Sequence, residues 1–203
     1  MKVFILTSEP FPYGGAASNR IKNYCQGFIE LGHKVNVLCF RPRIFSANIP
    51  KVNGEHRNIK YQYLPGKVKK SKNFIRRRLD IFLSYFNLVK LFLSKKNENS
   101  FIIYYSSYIL PALLLYFIKK INSFRIYKEE SEFRIRFNFK TKSLKYHLFK
   151  LSYFLFDGLL LMTRPLIKYF RNELNYKKPI LHVPMTVDFN RFKNINKNST
   201  NFI

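Results

Sequence analysis

The chain has 203 residues, and 47% of them are hydrophobic. This excludes an intrinsically disordered protein and is enough for one α/β domain with a buried core. The 37 lysines and arginines oppose 11 aspartates and glutamates, so the formal net charge is +26. So large an excess predicts an anionic partner, which is a membrane surface, a phosphorylated substrate or nucleic acid. A solvated lysine-rich surface is the alternative for part of this charge.

The first 40 residues predict a strand, a glycine loop, a helix and a second strand. Residues 2–7 form a short apolar run, which prolines and the pair Gly14-Gly15 interrupt. Apolar side chains then recur at helical spacing from residue 17, and Gly32 is typical of a helix C-terminus. Residues 34–40 form the next apolar run. A strand, a helix and a strand without a hairpin turn predict a parallel pair with a right-handed crossover.

The glycine loop carries the first chemical signal. Gly14 and Gly15 let backbone amides approach a ligand closely at the point where a helix begins. A helix N-terminus favours anions because its N–H groups are unpaired and its dipole is positive there. Ser18, Asn19 and Arg20 lie in the first turn and add side-chain donors. The alternative is a tight turn without a ligand, because a glycine pair alone is a weak signal.

Strand-like runs alternate with helical periodicity along the rest of the chain. Residues 41–58 are polar and contain proline and glycine, so they predict a long irregular loop. Further strands are predicted at residues 59–64, 101–105, 124–128, 158–163 and 180–183. Further helices are predicted at residues 75–93, 110–121, 144–156 and 166–174. This succession predicts a doubly wound parallel sheet, which is a Rossmann-like α/β fold with helices on both faces.

Four segments resemble one family of enzymes. They are Gly-Gly-Ala-Ala-Ser-Asn-Arg-Ile at 14–21, Glu-Leu-Gly-His-Lys-Val at 30–35, Asp-Gly-Leu-Leu-Leu-Met-Thr at 157–163 and Val-Pro-Met-Thr-Val-Asp-Phe-Asn-Arg-Phe at 183–192. In this order they resemble the N-terminal, acceptor-side domain of retaining glycosyltransferases of the GT-B fold, in glycosyltransferase family 4. The resemblance extends over residues 1 to about 192, which is nearly the whole chain.

The resemblance implies a transferase that moves a sugar from a nucleotide-sugar co-substrate to a glycan or lipid-linked acceptor. The product would belong to cell-surface polysaccharide biosynthesis. The family also implies a reaction without a metal or a bound cofactor, in the cytoplasm and peripherally at the inner face of the membrane. By the same resemblance, Gly14, Gly15, Ser18 and Arg20 would border the diphosphate of the donor.

Enzymes of this family have two Rossmann-like domains with the active site between them, and the second domain binds most of the donor. We expect residues 1–192 to form the first domain and residues 193–203 to be a polar tail at the start of the inter-domain linker. The donor-binding C-terminal domain is expected to be absent from this chain. Catalysis would then need a separate second half, and activity of this chain alone is not expected.

Acidic residues are scarce, and four of them follow predicted strands. Glu9 follows the first strand, and Glu129, Glu130 and Glu132 follow the fifth. Ligands in such sheets bind beyond the carboxyl ends of the strands, so these acids are candidates for orienting a sugar or acting as a base. The alternative is that they offset nearby positive charge. The resemblance favours Glu130 or Glu132 as the acceptor-side catalytic group, although many relatives have a histidine at this place.

Two basic segments contain aromatic or apolar residues among their cations, at 67–78 and 133–142. Such a mixture is typical of contact with an anionic bilayer or with the acceptor. The cations of this predicted patch are Lys69, Lys70, Lys72, Arg76, Arg77, Arg78, Arg134 and Arg136. A solvated charged face is one alternative. A non-catalytic module that binds anionic membrane or single-stranded nucleic acid is another, although no RNA-binding motif is present and nucleic acid is the less favoured partner.

Potential metal ligands do not occur at metal-site spacing in the sequence. The two cysteines, Cys25 and Cys39, are predicted to be buried thiols of a reducing compartment. Each histidine stands alone, and His33 matches the Gly-His turn of the resembling family. No apolar run approaches the roughly 20 residues that a membrane-spanning helix needs. We therefore expect no metal site and no transmembrane helix.

Overall fold

The computed structural model describes residues 1–42, 51–94, 100–132 and 144–185, and these ranges contain eight strands and five α-helices. The strands are β1 (Lys2–Thr7), β2 (Lys34–Cys39), β3 (Asn53–His56), β4 (Ile59–Tyr63), β5 (Ser100–Tyr105), β6 (Phe124–Glu130), β7 (Gly158–Leu161) and β8 (Ile180–His182). The helices are α1 (Ala16–Glu30), α2 (Phe74–Ser94), α3 (Ile109–Lys119), α4 (Leu144–Ser152) and α5 (Arg164–Lys168).

All of these strands belong to one sheet, in the order β3-β4-β2-β1-β5-β6-β7-β8. Every neighbouring pair is parallel except β3 and β4. Strand β1 lies in the middle of the sheet. Strands β2 and β4 follow on one side of it, and β5 to β8 follow on its other side. This is the predicted doubly wound arrangement, and it places a strand-order reversal beside β1, where such sheets bind ligands.

The edge strand β3 corrects the prediction of an irregular loop for residues 41–58. Asn53–His56 pairs antiparallel with β4, across a turn in which Arg57 has φ 51° and Asn58 has φ 63°. Two successive left-handed residues are typical of a tight hairpin, but Arg57-Asn58 is not one of its usual sequence signals. Residues 43–50 lie outside the described ranges.

Alternating side chains of the central strands form two cores. On one face Val3 and Ile5 belong to a cluster with Ile21 and Cys25 of α1. On the other face the strand side chains pack with α2 and α3, and Ala112 and Leu115 of α3 are buried there. Both faces of the central sheet are therefore covered, as a buried parallel sheet requires.

Helix α2 faces the sheet differently from what its periodicity suggests. The apolar series predicted to form one face is Ile75, Leu79, Phe82, Phe86, Val89 and Leu93. All of these are exposed except Val89, which is partly buried. The fully buried positions of the helix are Asp80, Ser84, Leu88 and Phe92, so two of these four are polar. None of the helices in the described ranges has the length and apolarity that crossing a bilayer demands.

Candidate functional site

The carboxyl ends of β1, β5 and β6 lie side by side at one edge of the sheet. Neighbouring strands are about 4.8 Å apart, so the segments after these three strands lie within roughly 10 Å of one another. Ser8 follows β1 and Ser106 follows β5, and the Ser106 hydroxyl donates a hydrogen bond to Ser8 Oγ at 3.2 Å. Both serines are buried, so they form a polar base for this edge.

The loop from β1 to α1 is held in a fixed shape. Tyr63 Oη on β4 accepts a hydrogen bond from the Phe11 N–H at 3.1 Å and donates one to the Phe11 carbonyl at 2.9 Å. Ser18 is fully buried, and its hydroxyl donates to the Pro10 carbonyl at 2.5 Å. A Cβ on Gly14 would lie only 2.1 Å from Ser18 Oγ, so glycine is required there by packing. Ser18 thus holds the loop, and its hydroxyl proton is engaged in this internal hydrogen bond.

Gly15 has a different role from Gly14. It is the N-cap of α1 in an extended conformation, with φ −81° and ψ −152°, and no side chain caps the helix. The first hydrogen bond of the helix runs from the Asn19 N–H to the Gly15 carbonyl at 3.2 Å. The earlier N–H groups therefore have no helical acceptor, and the first turn contains no acid. Gly15 is exposed, with nothing within 4 Å of a Cβ built on it, so the N-terminus of α1 opens to solvent.

Arg20 lies behind this loop and joins three elements. Its Nε is 2.8 Å from Glu129 Oε1 at the end of β6, and its Nη2 donates to the Val183 carbonyl beyond β8 at 2.9 Å. The Tyr24 hydroxyl donates to the same Glu129 oxygen at 3.4 Å. Burial raises the pKa of the Glu129 carboxyl above its usual value, although Lys128 and Arg20 act in the opposite direction. In this structure the predicted phosphate-binding arginine is therefore part of a buried ion pair, and its contact with a donor stays a prediction.

Lys128, Glu130 and Tyr153 form a second buried polar group at the end of β6. Lys128 Nζ is 3.1 Å from Glu130 Oε2, and the Tyr153 hydroxyl donates to the same oxygen at 2.9 Å. Glu130 is 2% exposed, whereas Glu132, two residues after the end of β6, is exposed. The two predicted acceptor-side acids thus occupy different surroundings. A catalytic role for either of them stays a prediction.

Sequence reasoning missed the partners of these acids. Lys128 interrupts the apolar face of β6, and this single buried-strand lysine is the signal that could have indicated an internal carboxylate partner. Tyr24 and Tyr153 gave no such signal, because a tyrosine in an amphipathic helix is normally a packing residue. Both contacts depend on which helix lies over which strand.

The predicted basic patch lies partly in the described ranges. Lys69, Lys70, Lys72, Arg76 and Arg78 are exposed around the start of α2, and Arg77 is half-buried. Arg134 and Arg136 lie outside the described residues, as do residues 186–203 with the predicted tail. Membrane or acceptor contact of the patch stays a prediction.

A cavity of about 1060 Å³ opens at the opposite, amino edge of the sheet. It is lined by residues that begin strands, among them Ser100, Phe124 and Ile180, and by Phe28 of α1. It does not reach the glycine loop or the end of β6. Within the ranges that the structure describes, no three histidine, cysteine, aspartate or glutamate side chains are grouped as a metal site would require.

Comparison with known proteins supports the fold. No protein-family model matches the sequence, and no curated protein matches it. Seventeen solved chains match the structure. One is a sucrose-phosphate synthase from Thermosynechococcus elongatus, with a TM-score of 0.55 and 8% identity, over 95% of this chain and 93% of that chain. This neighbour is a glycosyltransferase of the GT-B fold, and at this identity the likeness concerns the fold alone. Membership of family 4 stays a prediction.

Proposed function

We propose that the chain is the acceptor-side domain of a glycosyltransferase. The reaction transfers a sugar from a nucleotide-sugar donor to a glycan or lipid-linked acceptor, in the synthesis of cell-surface polysaccharide. The observation that carries the proposal is the open N-terminus of α1 behind Gly14 and Gly15, at the ligand-binding edge of a sheet that has a glycosyltransferase as a structural neighbour. The choice of this reaction class among the many uses of a Rossmann-like sheet rests on analogy with the fold of that neighbour.

The donor diphosphate would lie against the start of α1. Unpaired N–H groups there match phosphate oxygens, and the positive end of the helix dipole lowers the energy of the bound anion. Gly15 lets the diphosphate approach because no side chain covers the helix end. Arg20 supports the site from behind, where its ion pair with Glu129 fixes α1 against β6.

The acceptor would lie over the end of β6. Glu132 is the exposed candidate for contacting an acceptor hydroxyl, and Glu130 is the buried candidate. The Lys128 ammonium and the Tyr153 hydroxyl both contact the Glu130 carboxylate inside the protein, so Glu130 supports the shape of this edge, and an acceptor group would have to enter the interior to contact it.

The proposed reaction needs more than these groups. We propose that the remaining donor contacts come from a second domain or a partner chain, and that the transfer proceeds without a metal or a bound cofactor. The acceptor is proposed to be presented at the cytoplasmic face of a membrane, where the chain associates peripherally. The excess of positive charge supports an anionic acceptor or surface.

A matched pair of variants tests the diphosphate site. Gly15→Asp and Gly15→Asn both provide a good N-cap of nearly the same shape, so both should fold as well as the unsubstituted chain. Only Gly15→Asp places a negative charge at the helix end. Binding of nucleoside diphosphates is measured by ligand-observed NMR with the purified chain.

We expect Gly15→Asn to weaken nucleoside diphosphate binding by about threefold to tenfold, because its side chain caps N–H groups that the diphosphate needs, and Gly15→Asp to weaken it by about a further tenfold or more because of like-charge repulsion. Equal binding by the two variants would exclude the helix N-terminus as the diphosphate site. Failure of the unsubstituted chain to bind any nucleoside diphosphate would remove the donor role from this domain. The alternative function, a non-catalytic basic module, would then be favoured.

A further inference from the structure

Helix α2 presents its apolar side to solvent. Ile75, Leu79, Phe82 and Phe86 are 67%, 54%, 66% and 57% exposed, and Leu93 continues the same row. From Ile75 to Phe86 the spacing places these side chains along one side of the helix, over about 17 Å. Val89, between Phe86 and Leu93, is partly buried against the core. Contiguous exposed apolar surface of this kind marks an interaction site in soluble proteins.

Polar contacts hold α2 in this orientation. Asp80 is buried, 2.6 Å from Lys67 Nζ, and it accepts a hydrogen bond from the Ser71 hydroxyl at 2.8 Å. The Ser84 hydroxyl donates to the Phe40 carbonyl at 2.8 Å, and the Asn87 amide donates to the Leu64 carbonyl at 2.7 Å. Rolling the helix to bury its aromatic row would break all of these bonds. The fold therefore fixes α2 in the orientation that exposes this apolar row.

A small cationic cavity lies at the N-terminal end of the same helix. Its volume is about 240 Å³, and its lining residues are Arg41, Pro42, Lys70, Phe74, Arg77, Arg78, Asp80 and Ile81. The one acid among these residues, Asp80, is already paired with Lys67. The Nε atoms of Arg41 and Arg77 are buried and have no hydrogen-bond partner among the described residues.

Two buried guanidinium N–H groups without acceptors are costly unless a ligand satisfies them. A phosphate group suits this cavity because guanidinium forks match its oxygens, and Lys70 and Arg78 add charge. The first turn of α2 contains no acid, so its dipole adds to the attraction for an anion. Arg41 is also held in place by the Tyr108 ring, whose centroid lies 3.6 Å from its guanidinium carbon.

We propose that α2 docks the chain onto an anionic bilayer. The phosphate of an acidic phospholipid occupies the cavity between Arg41 and Arg77, and the row Ile75–Leu79–Phe82–Phe86 enters the boundary between headgroups and acyl chains. Charge complementarity selects this occupant, because the apolar row begins beside the cations of this cavity and the whole chain carries a net charge of +26.

Helix α3, which packs beside α2, extends the surface. Phe117 is 59% exposed, and Lys120 Nζ lies 5.9 Å from the centroid of its ring and 5.3 Å from that of Tyr116. Aromatic rings beside a lysine are typical of the headgroup region. This inference does not depend on sugar transfer, since the docking surface involves neither the glycine loop nor the end of β6.

Vesicle co-sedimentation tests the apolar row. The full chain is mixed with vesicles of phosphatidylcholine containing about 30% phosphatidylglycerol, and with vesicles of phosphatidylcholine alone. The test variant is Phe82→Ser/Phe86→Ser, and the control is Leu31→Ser/Leu181→Ser, which removes two apolar side chains that are 71% and 60% exposed elsewhere. We expect binding only to the anionic vesicles, weakened by about tenfold or more in the test variant and by less than about twofold in the control.

The cavity is tested by Arg77→Gln/Arg78→Gln against Lys168→Gln/Lys177→Gln, which removes two exposed cations near the β8 edge of the sheet, away from α2. The arginine pair should weaken vesicle binding by about thirtyfold and the lysine pair by much less. Circular dichroism verifies that each variant is folded. Equal losses in both cation pairs, or unchanged binding by the Phe82/Phe86 variant, would overturn the proposal. Tight binding of single-stranded oligonucleotides with no binding to vesicles would overturn it in favour of nucleic acid.

Discussion

The ion pair between Arg20 and Glu129 gives the sharpest prediction about stability. The Glu129 carboxylate is 2% exposed, and the neighbouring Lys128 ammonium is already paired with Glu130. Arg20→Gln would therefore leave a buried charge without its main partner. Breaking a buried pair from one side costs about 3–5 kcal/mol. This is a large part of the 5–15 kcal/mol that stabilises an ordinary domain.

The loss in unfolding free energy should depend on pH, because protonation of Glu129 neutralises the buried carboxylate that the substitution leaves without its partner. Its pKa is already raised by burial, and removal of the guanidinium raises it further. A carboxyl with a raised pKa in the folded state binds protons more tightly there than in the unfolded chain, so the folded state gains stability as the pH falls. Each pH unit between the two pKa values contributes up to about 1.4 kcal/mol.

The assay is guanidinium-induced unfolding of the Arg20→Gln variant and the unsubstituted chain, followed by circular dichroism at about pH 7.5 and about pH 5.5. We expect the loss in unfolding free energy to be smaller at the lower pH, by at most about 2.8 kcal/mol over these two pH units. The control is Arg20→Gln/Glu129→Gln, which removes both charges and should recover part of the stability at the higher pH. A loss that is equal at both pH values, or a double variant less stable than Arg20→Gln, would refute the reasoning.

Four other substitutions have distinct expected effects on the free energy of unfolding, measured in the same assay. Gly14→Ala should lose about 1–3 kcal/mol, because its Cβ would lie 2.1 Å from Ser18 Oγ, whereas Gly15→Asn should change stability by less than about 0.5 kcal/mol. Tyr153→Phe should lose about 1.5–3 kcal/mol, because the Glu130 carboxylate loses a buried hydrogen bond; a neutral result would mean that water replaces the hydroxyl. Ser84→Ala should lower the free energy of unfolding by about 1 kcal/mol, because the buried Phe40 carbonyl loses its hydrogen bond from the Ser84 hydroxyl. An unchanged denaturation midpoint would show that this hydrogen bond does not stabilise the packing of α2.

The alternation of strands and helices was predictable because each element carries its own periodicity. Buried parallel strands such as β1 are short apolar runs, and the helices between them have a period of 3.6 residues. The hairpin of β3 and β4 was missed because Arg57-Asn58 adopts a left-handed turn without the glycine that normally indicates it.

The orientation of α2 could not be read from its sequence. An apolar row normally marks the side that faces the core. Here the packed side contains Asp80, whose partners Lys67 and Ser71 lie in the segment before the helix, and Ser84, whose partner Phe40 is 44 positions away. The edge of β6 presents the same difficulty, since Arg20 and Glu129 are 109 positions apart in the chain. The local pattern of apolar residues predicts helices and strands, whereas the polar pairs between them depend on how these elements pack in the folded chain.

The most direct measurement of the central claim is a titration of the ¹⁵N-labelled chain with nucleoside diphosphates, followed through its backbone amide signals. The proposed function predicts that the largest shifts occur at Gly15 and in the first turn of α1, where the N–H groups are uncapped. Shifts confined to Arg41, Arg77 and their neighbours would show that only the cationic cavity binds phosphate. That result, or no shift at Gly15 with any nucleoside diphosphate, would contradict the donor site proposed for this domain.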